Sequence, residues 1–246
     1  MAREALIERN TKETQIRLQL NIDGTGSSDI DTGIGFFDHM LDGFTRHGLY
    51  DLTLRVHGDL NVDDHHTIED TGIVLGNAIR EAVGDKKGIK RYGSCILPMD
   101  EVLVLCAVDL SGRPYLGWDA EFSTEKIGDM ATEMVKEFFY AVSYSAAMNL
   151  HIKVLSGGNS HHVAEAMFKS FAKALDAATQ YDSRITDVLS TKGSLCYIKE
   201  TTYEQTVDPM PLSSGRKGSN RIWTEKSFRR WKCRDTCKIL RRQWSR

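Results

Sequence analysis

The sequence has few of the residues that hold small secreted proteins together. It contains 5 cysteines and 4 prolines in 246 residues, and the cysteines follow no regular spacing. This pattern predicts a reducing cytoplasm rather than a disulfide-stapled domain. No apolar run is long enough to span a membrane, and the first residues do not form the apolar core of a signal peptide. We therefore expect a cytoplasmic globular protein with no membrane partner.

The sequence also has little net charge, but its charges are unevenly distributed. Residues 194–246 carry 13 Lys and Arg against 5 Asp and Glu, and they hold three of the 4 tryptophans. This composition predicts a boundary near residue 194, followed by a basic extension, rich in tryptophan and arginine, that we expect to be disordered. Basic residues among aromatics can bind nucleic acid. A disordered extension, or translated sequence foreign to the functional chain, explains them more simply, and we expect no nucleic-acid partner.

The pattern His-His-x-x-Glu occurs twice, at His65–Glu69 and at His161–Glu165. On a helix, a carboxylate three residues after a histidine lies on the same face. Each run can therefore offer an imidazole and a carboxylate to one metal ion, while the other imidazole points elsewhere. Shared ancestry of two helices would also explain the repeat, but the recurrence of the glutamate favours two metal sites.

Two further histidines, His39 and His151, would raise the set to six imidazoles and two carboxylates, enough for four ligands on each of two ions. His39 could equally be a buried core histidine, and His151 a surface residue of a strand. Nitrogen and carboxylate ligands allow manganese, iron, zinc, cobalt or nickel, with positions left open for a substrate. No cysteine lies near the runs, so a closed structural zinc site is not expected. His47 and His57 have no carboxylate at metal-binding spacing, and we assign them to the surface, to packing or to a substrate pocket.

The hydrophobic periodicity predicts a repeated unit of strand, loop and His-His helix near residues 50–83 and 150–178. Asp63 or Asp64 is expected to cap the first of these helices, and Ser160 the second. The remaining expected elements are strands over 14–23, 49–57, 101–109 and 151–155, helices over 36–46 and 131–150, and a loop over 85–93. Together they predict an α+β architecture with two sheets, helices packed against them, and an internal duplication.

Longer motifs run in order through the first 193 residues. They are TKET (11–14), TGIGFFDHML (32–41), GDL (58–60), DDHHTIED (63–70), GIKRYG (88–93), MDE (99–101), DLSGRP (109–114) and STKG (190–193). Through them the chain resembles the imidazoleglycerol-phosphate dehydratases, lyases of histidine biosynthesis, over about residues 2–193. This resemblance implies two half-repeats, 1–93 and 94–193, each a mixed four-stranded sheet with packed helices like the second domain of ribosomal protein S5. Residues 194–246 lie outside it.

The resemblance also implies two Mn²⁺ ions per active site, shared between subunits of a 24-subunit homo-oligomer. One ion would take His39, His66, Glu69 and His161. The other would take His65, His151, His162 and Glu165. The implied reaction is dehydration of D-erythro-imidazole glycerol phosphate to imidazole acetol phosphate, through an imidazolate bound to both metals.

The resemblance assigns the acid/base and substrate-binding role to Glu13, which by sequence alone would be an exposed charge before a strand. The remaining implied substrate-binding residues are Arg91, Arg113, Lys169, Ser190, Thr191 and Lys192. Cations and hydroxyls suit a phosphate, because guanidinium can bind it through two parallel bonds and lysine acts as a point charge. Lys169 has independent support, since it lies two turns after His161 on the same predicted helix.

Two other functions fit the same residues. A dinuclear metallohydrolase could also use histidine-rich sites and a phosphate-binding group, and it would hydrolyse phosphate esters. A shell protein that has lost catalysis would keep the metals and the assembly but would bind no imidazole-bearing ligand.

Overall fold

The computed structural model describes residues 3–195 of the chain. The first half contains strands β1 (Glu4–Asn10), β2 (Thr14–Asn21), β3 (Ser28–Asp31) and β4 (Asp51–Gly58), with helices α1 (Gly35–Gly48) and α2 (His65–Val83). The second half contains strands β5 (Tyr92–Met99), β6 (Val102–Asp109) and β7 (Tyr115–Asp119), a small hairpin of β8 (Lys126–Ile127) and β9 (Met130–Ala131), helix α3 (Glu133–Ser145), strand β10 (Asn149–Ser156) and helix α4 (Ser160–Thr179).

The two halves have the same sheet topology. The strand order is β1-β2-β4-β3 in the first sheet and β5-β6-β10-β7 in the second. In each sheet two neighbouring pairs are antiparallel and the last pair is parallel. The predicted α+β class, with duplicated mixed four-stranded sheets, is therefore confirmed. The residue numbers at which the half-repeats divide remain a prediction.

Each sheet buries one face, as alternating sequences require. In β2 the side chains of Ile16, Leu18 and Leu20 are buried and those between them are exposed. In β6 Val102, Val104, Cys106 and Val108 are buried and those between them are half-buried. Helices cover the buried faces: α2 packs on β1 and β2, and α4 on β5 and β6. The outer face of the first sheet is largely polar, whereas that of the second carries exposed or partly exposed apolar side chains, among them Ile96, Leu103 and Leu105.

The halves are joined by their helices, because α2 packs on α3 and α1 packs on α4. Two glycines of α2 allow its close approach to α3: an added Cβ would lie 2.8 Å from the Phe138 carbonyl oxygen at Gly72, and 2.6 Å from that of Val142 at Gly76. Aromatic rings also pack between the halves, where Phe44 of α1 stacks on Phe171 of α4 at 5.4 Å between ring centroids. The two histidine-bearing helices are thus held by one shared core.

Several predicted elements need correction. The helix expected over 131–150 covers only Glu133–Ser145, because Ala147 adopts a left-handed conformation (φ 52°) and the chain then enters β10. The loop expected over 85–93 ends where β5 begins at Tyr92. Strands β1, β3, β5 and β7 were not predicted; all four are edge strands, and of their residues only Ala5 is buried.

Beyond Leu195 the chain lies outside the described residues, and so does nearly all of the predicted basic extension, 194–246. Among the helices of residues 3–195, none combines the length and the apolar character needed to cross a bilayer.

Candidate metal and phosphate site

Helix α2 carries the first histidine run in its first turn. Asp64 occupies the N-cap position, as predicted, but the carboxylate bond to the helix comes from Asp63, which accepts the His65 amide at 2.9 Å. Asp64 instead accepts the amide of Ala131 at 2.6 Å. The amides in the first turn of a helix have no acceptor within the helix, and Asp63 supplies one for the His65 amide. The bond from Ala131 to Asp64 fixes the start of α2 against β9.

The two rings of the first run point in different directions, with an interplanar angle of 77°. His65 Nε2 lies 3.5 Å from Glu69 Oε2. His66 faces away from Glu69: its Nδ1 lies 3.0 Å from Asp59 Oδ2, and its Nε2 lies 4.0 Å from Glu13 Oε2. The hydrogen bond to Asp59 raises the pKa of His66, and the charge of Glu13 adds to the rise. Glu13 therefore stands beside the first run, on the turn between β1 and β2.

Helix α4 carries the second run in its first turn. The expected cap, Ser160, was wrong by one residue: Asn159 occupies the N-cap, and its Oδ1 accepts the His161 amide at 2.8 Å. Ser160 is the first helical residue, and its hydroxyl lies 3.1 Å from that of Ser123. Asparagine has the side-chain acceptor that an N-cap needs, so both residues were chemically suitable.

A compact group of donors surrounds His161. Its Nε2 lies 3.4 Å from Glu165 Oε2, and ligand atoms of His39, His161 and Glu165 all lie within 4.8 Å of one another. His39 is exposed, so its alternative assignment as a buried core histidine was wrong. Lys169 Nζ lies 2.7 Å from Glu165 Oε1. Burial is the largest single influence on Glu165 and opposes its ionisation, but the bond to Lys169, the charge of Lys169 and those of His39 and His161 together outweigh it and lower the pKa of the carboxyl.

In both runs the glutamate contacts the first histidine, four residues earlier. The predicted pairing of each glutamate with the second histidine, three residues earlier, on one metal ion stays a prediction. Both spacings share a helix face, but here the side chains of residues i and i+4 meet. The second histidine of each run is left to contact carboxylates from other elements.

His162 is the second histidine of the second run. Its Nδ1 lies 3.0 Å from Glu101 Oε2, and its Nε2 lies 3.7 Å from Asp100 Oδ2. Glu101 also accepts the Asn159 amide at 2.7 Å. That amide bond, a further backbone bond and His162 lower the pKa of Glu101 to about 2. Glu101 is therefore an anion that connects the β5–β6 turn to the start of α4.

His151 lies exposed on β10, with its ring 5.4 Å from that of Tyr115. Among residues 3–195 it joins neither group of three or more donors that could hold a metal, and neither predicted set of four ligands comes together within one chain. The donors are imidazole nitrogens and carboxylate oxygens, which fit manganese and similar divalent ions. The assignment of individual ligands to two ions stays a prediction.

A separate cavity of about 820 Å³ gathers most of the predicted phosphate-binding residues. It is lined by Arg91, Arg113, Ser190, Thr191 and Lys192. The last three lie on a turn in which the Ser190 hydroxyl accepts the Lys192 amide at 3.2 Å. The structure thus brings three cations and two hydroxyls to one place, as phosphate recognition requires.

Arg91 is the buried member of this group. Its guanidinium binds both carboxylate oxygens of Asp109, at 2.7 and 3.1 Å, and donates to the Leu189 carbonyl at 2.8 Å. Three of its N–H groups are used in this way, so about two of the five that a guanidinium carries remain for a ligand. Arg91 therefore also fixes the segment that leads into Ser190.

Lys169 does not line this cavity, because its ammonium pairs with Glu165 in the His161 group. His47 stands near the same group: burial lowers its pKa, and the charges of Lys169 and Lys173 add to the effect.

Asp59, Glu101 and Arg184 were not predicted as site residues. Arg184 is a further cation that lines the cavity. All three lie on loops and turns, where no spacing rule links them to the histidines; only the motifs GDL and MDE pointed to the first two.

Comparisons with known proteins agree on one family. The family model described as "Imidazoleglycerol-phosphate dehydratase" matches residues 32–175. A protein of that name from Lachnoclostridium phytofermentans is 65% identical over 195 residues, which are 79% of this chain and all of the relative. The namesake from Acetivibrio thermocellus is 59% identical over 195 residues, with the same coverage.

Solved structures agree with these relatives. The crystal structure of imidazoleglycerol-phosphate dehydratase from Staphylococcus aureus has a TM-score of 0.67 and 42% identity, and it covers 73% of this chain and 99% of its own. The Pyrococcus furiosus structure, in complex with (S)-C348, has a TM-score of 0.67 and 37% identity, and it covers 77% of this chain and 100% of its own.

Proposed function

The chain belongs to the imidazoleglycerol-phosphate dehydratase family, the hydro-lyases of histidine biosynthesis, and from this membership we propose that it dehydrates D-erythro-imidazole glycerol phosphate to imidazole acetol phosphate at a site holding two Mn²⁺ ions. The observation that carries the metal part is the repeated pairing of an imidazole with a carboxylate at the starts of α2 and α4. The first pair is half-exposed, and in the second the exposed His161 meets a more buried Glu165; both pairs offer ligand atoms to a cation.

We propose that each active site is completed by other subunits. Within one chain the donors form incomplete groups, and His151 stands apart from them on β10. These metal-binding side chains lie on the surface in incomplete sets. Neighbouring subunits of the expected 24-subunit homo-oligomer, acting in the cytoplasm, would supply the missing ligands. The predicted ligand sets, His39, His66, Glu69 and His161 for one ion and His65, His151, His162 and Glu165 for the other, would then close across subunit boundaries.

The phosphate would be held in the cavity lined by Arg91, Arg113 and Lys192, with the hydroxyls of Ser190 and Thr191 as further donors. This binding fixes one end of the substrate and presents its imidazole and glycerol carbons to the histidine groups. Lys169 keeps Glu165 ionised and in place, and we propose that it also meets the substrate at that end.

Loss of water requires removal of a proton from a carbon that no carbonyl activates. Two bound cations on the substrate ring would make its N–H more acidic, so that the ring can lose this proton and expel the adjacent hydroxyl, which takes up the proton and leaves as water. Glu13 then takes the proton of the neighbouring carbon, and the resulting enol gains a proton on carbon to become the ketone. The half-exposed carboxylate of Glu13, 4.0 Å from His66, can both accept and return a proton.

The test is turnover of imidazole glycerol phosphate by chelated protein before and after Mn²⁺ is added. We expect activity to fall with chelation and to return with manganese. Hydrolysis of phosphate esters without dehydration would instead identify a metallohydrolase. Full activity after complete metal removal would overturn the metal requirement.

A further inference from the structure

The second histidine of each run has a carboxylate on its Nδ1. His66 Nδ1 lies 3.0 Å from Asp59 Oδ2, and His162 Nδ1 lies 3.0 Å from Glu101 Oε2. An ionised carboxylate can only accept a hydrogen bond, so Nδ1 must be the donor in both rings. In a neutral imidazole the other nitrogen, Nε2, then carries the lone pair, which is the form that binds a metal.

We propose that Asp59 and Glu101 are positioning residues, which hold His66 and His162 in the tautomer and orientation whose Nε2 binds a cation. The inference rests on the proposed metal-dependent function. It adds two carboxylates that contact neither cation nor substrate and act through a histidine. In metal sites generally, such outer partners fix ring orientation and raise the basicity of the ligand.

The two carboxylates come from positions in the fold that do not correspond. Asp59 directly follows β4, whose counterpart β10 is followed by Gly157. Glu101 lies on the turn between β5 and β6, whose counterpart between β1 and β2 carries Glu13. Because the contact is not a copy inherited with the duplication, its recurrence indicates that both rings need the same chemical constraint.

Glu101 is itself held in place. Its Oε1 accepts the Asn159 amide at 2.7 Å, and its carbonyl accepts the Ser156 hydroxyl at 3.1 Å. The loop packs so closely on this carboxylate that a Cβ added to Gly158 would lie 2.2 Å from Oε1. A carboxylate fixed by backbone bonds can in turn fix the ring that donates to it.

Each Nε2 faces a further carboxylate without a hydrogen bond. His66 Nε2 lies 4.0 Å from Glu13, and His162 Nε2 lies 3.7 Å from Asp100. Both distances are too long for a shared proton. Neither carboxylate therefore occupies the Nε2 lone pair, which agrees with an Nε2 kept free for a metal.

The test compares Glu101→Gln and Asp59→Asn with the wild-type full-length chain. An amide nitrogen in place of the carboxylate oxygen can donate to Nδ1, which moves the ring proton to Nε2 and blocks it. We expect Mn²⁺ affinity, measured by equilibrium dialysis, to fall about 10- to 100-fold in each variant. At saturating Mn²⁺, pulsed EPR should show one fewer coordinated imidazole nitrogen. Asp59→Asn gives an independent reading if Glu101→Gln does not fold.

Asp100→Asn is the matched control, because it removes the same charge from the same turn without touching Nδ1. We expect its Mn²⁺ affinity to stay within about threefold of wild type. An equal loss in Asp100→Asn would mean that charge alone matters, and it would overturn the positioning role. Wild-type protein that binds no Mn²⁺ would refute the proposed function itself. Wild-type protein that binds two Mn²⁺ per chain, beside variants that bind as tightly, would refute only the inference about Asp59 and Glu101.

Discussion

Glu69 and Glu165 occupy the same place in the two halves, but their surroundings differ. The Glu165 side chain is 13% exposed and bonded to Lys169, whereas that of Glu69 is 41% exposed, and the residue four positions after it is Ile73. A carboxylate held by a lysine is fixed before any metal binds. The second half therefore presents a more ordered group of donors than the first.

Glu13→Gln tests the acid/base role. Glutamine keeps the shape of the side chain but cannot take a proton, so we expect kcat to fall by at least about 100-fold. Manganese content should be unchanged, because Glu13 is not among the predicted ligands. Steady-state kinetics together with metal analysis of the same sample measure both. Turnover close to that of the wild type with both metals bound would remove Glu13 from this role.

Lys192→Gln tests the phosphate cavity. Lys192 is exposed and its side chain has no bond to the rest of the fold among the contacts described, so its loss should leave stability unchanged. A hydrogen bond to a charged group contributes about 1.5–3 kcal/mol, so we expect KM to rise about tenfold or more. Manganese content should not change. Saturation behaviour identical to the wild type would count against the assignment.

Arg91→Gln should change stability as well as phosphate binding, because Arg91 also makes contacts that stabilise the fold. Its ion pair with Asp109 is largely buried, with side chains 11% and 19% exposed, and it also holds the Leu189 carbonyl. Removing one partner of such a pair costs about 3 kcal/mol. We expect both a higher KM and a lower melting temperature, measured by calorimetry. A rise in KM with an unchanged melting temperature would show that the Asp109 contact is not needed for stability.

The helices and strands that were predicted are those whose own short stretch of sequence indicates them. The helices α1, α2 and α4 and the strands β2, β4 and β6 follow from periodicity, because each buries one face. Strands β3 and β7 pair in parallel at sheet edges and depend on β4 and β10, which lie elsewhere in the chain. Nothing in their own few residues specifies that pairing.

The contact between α2 and α3 depends on the glycines of α2. A methyl group at Gly76 would lie 2.6 Å from the Val142 carbonyl oxygen, so Gly76→Ala forces the helices apart. We expect a loss of about 1–3 kcal/mol in the free energy of unfolding, measured by urea denaturation.

Gly43→Ala in α1 is the matched control for that substitution. An added Cβ there has no heavy atom within 4 Å, so only the backbone entropy of glycine is removed. This variant should gain about 0.5–1 kcal/mol. Equal effects from the two substitutions would show that the α2–α3 contact can adjust to an added methyl group.

At the scale of the whole molecule, the candidate site was predictable in kind but not in geometry. The repeated runs identified four histidines and two glutamates, because spacing on a helix specifies neighbours. Which ring meets which carboxylate depended on rotamers and on Asp59 and Glu101, which arrive from loops. The grouping of Arg91 with Lys192 joins residues about a hundred positions apart, and the resemblance to a family, not spacing, anticipated it.

The chain beyond Leu195 should be dispensable for the proposed reaction. The Lachnoclostridium phytofermentans relative is matched along its whole length by 79% of this chain, so it has no counterpart of the remaining residues. A chain ending at Leu195 retains the predicted ligands, Glu13 and every residue that lines the phosphate cavity. We expect its kcat, KM and size by light scattering to match the full chain within about twofold.

The comparison should be made at low and at physiological salt, because residues 194–246 carry 13 basic and 5 acidic groups. These charges could lower KM only by attracting the anionic substrate at long range. In that case the difference in KM between the two chains should vanish at physiological salt, where the screening length is about 8 Å. A shortened chain that fails to assemble, or that loses turnover at both salt concentrations, would show instead that the extension is part of the working enzyme. Retained activity would place the whole catalytic apparatus within the two duplicated halves.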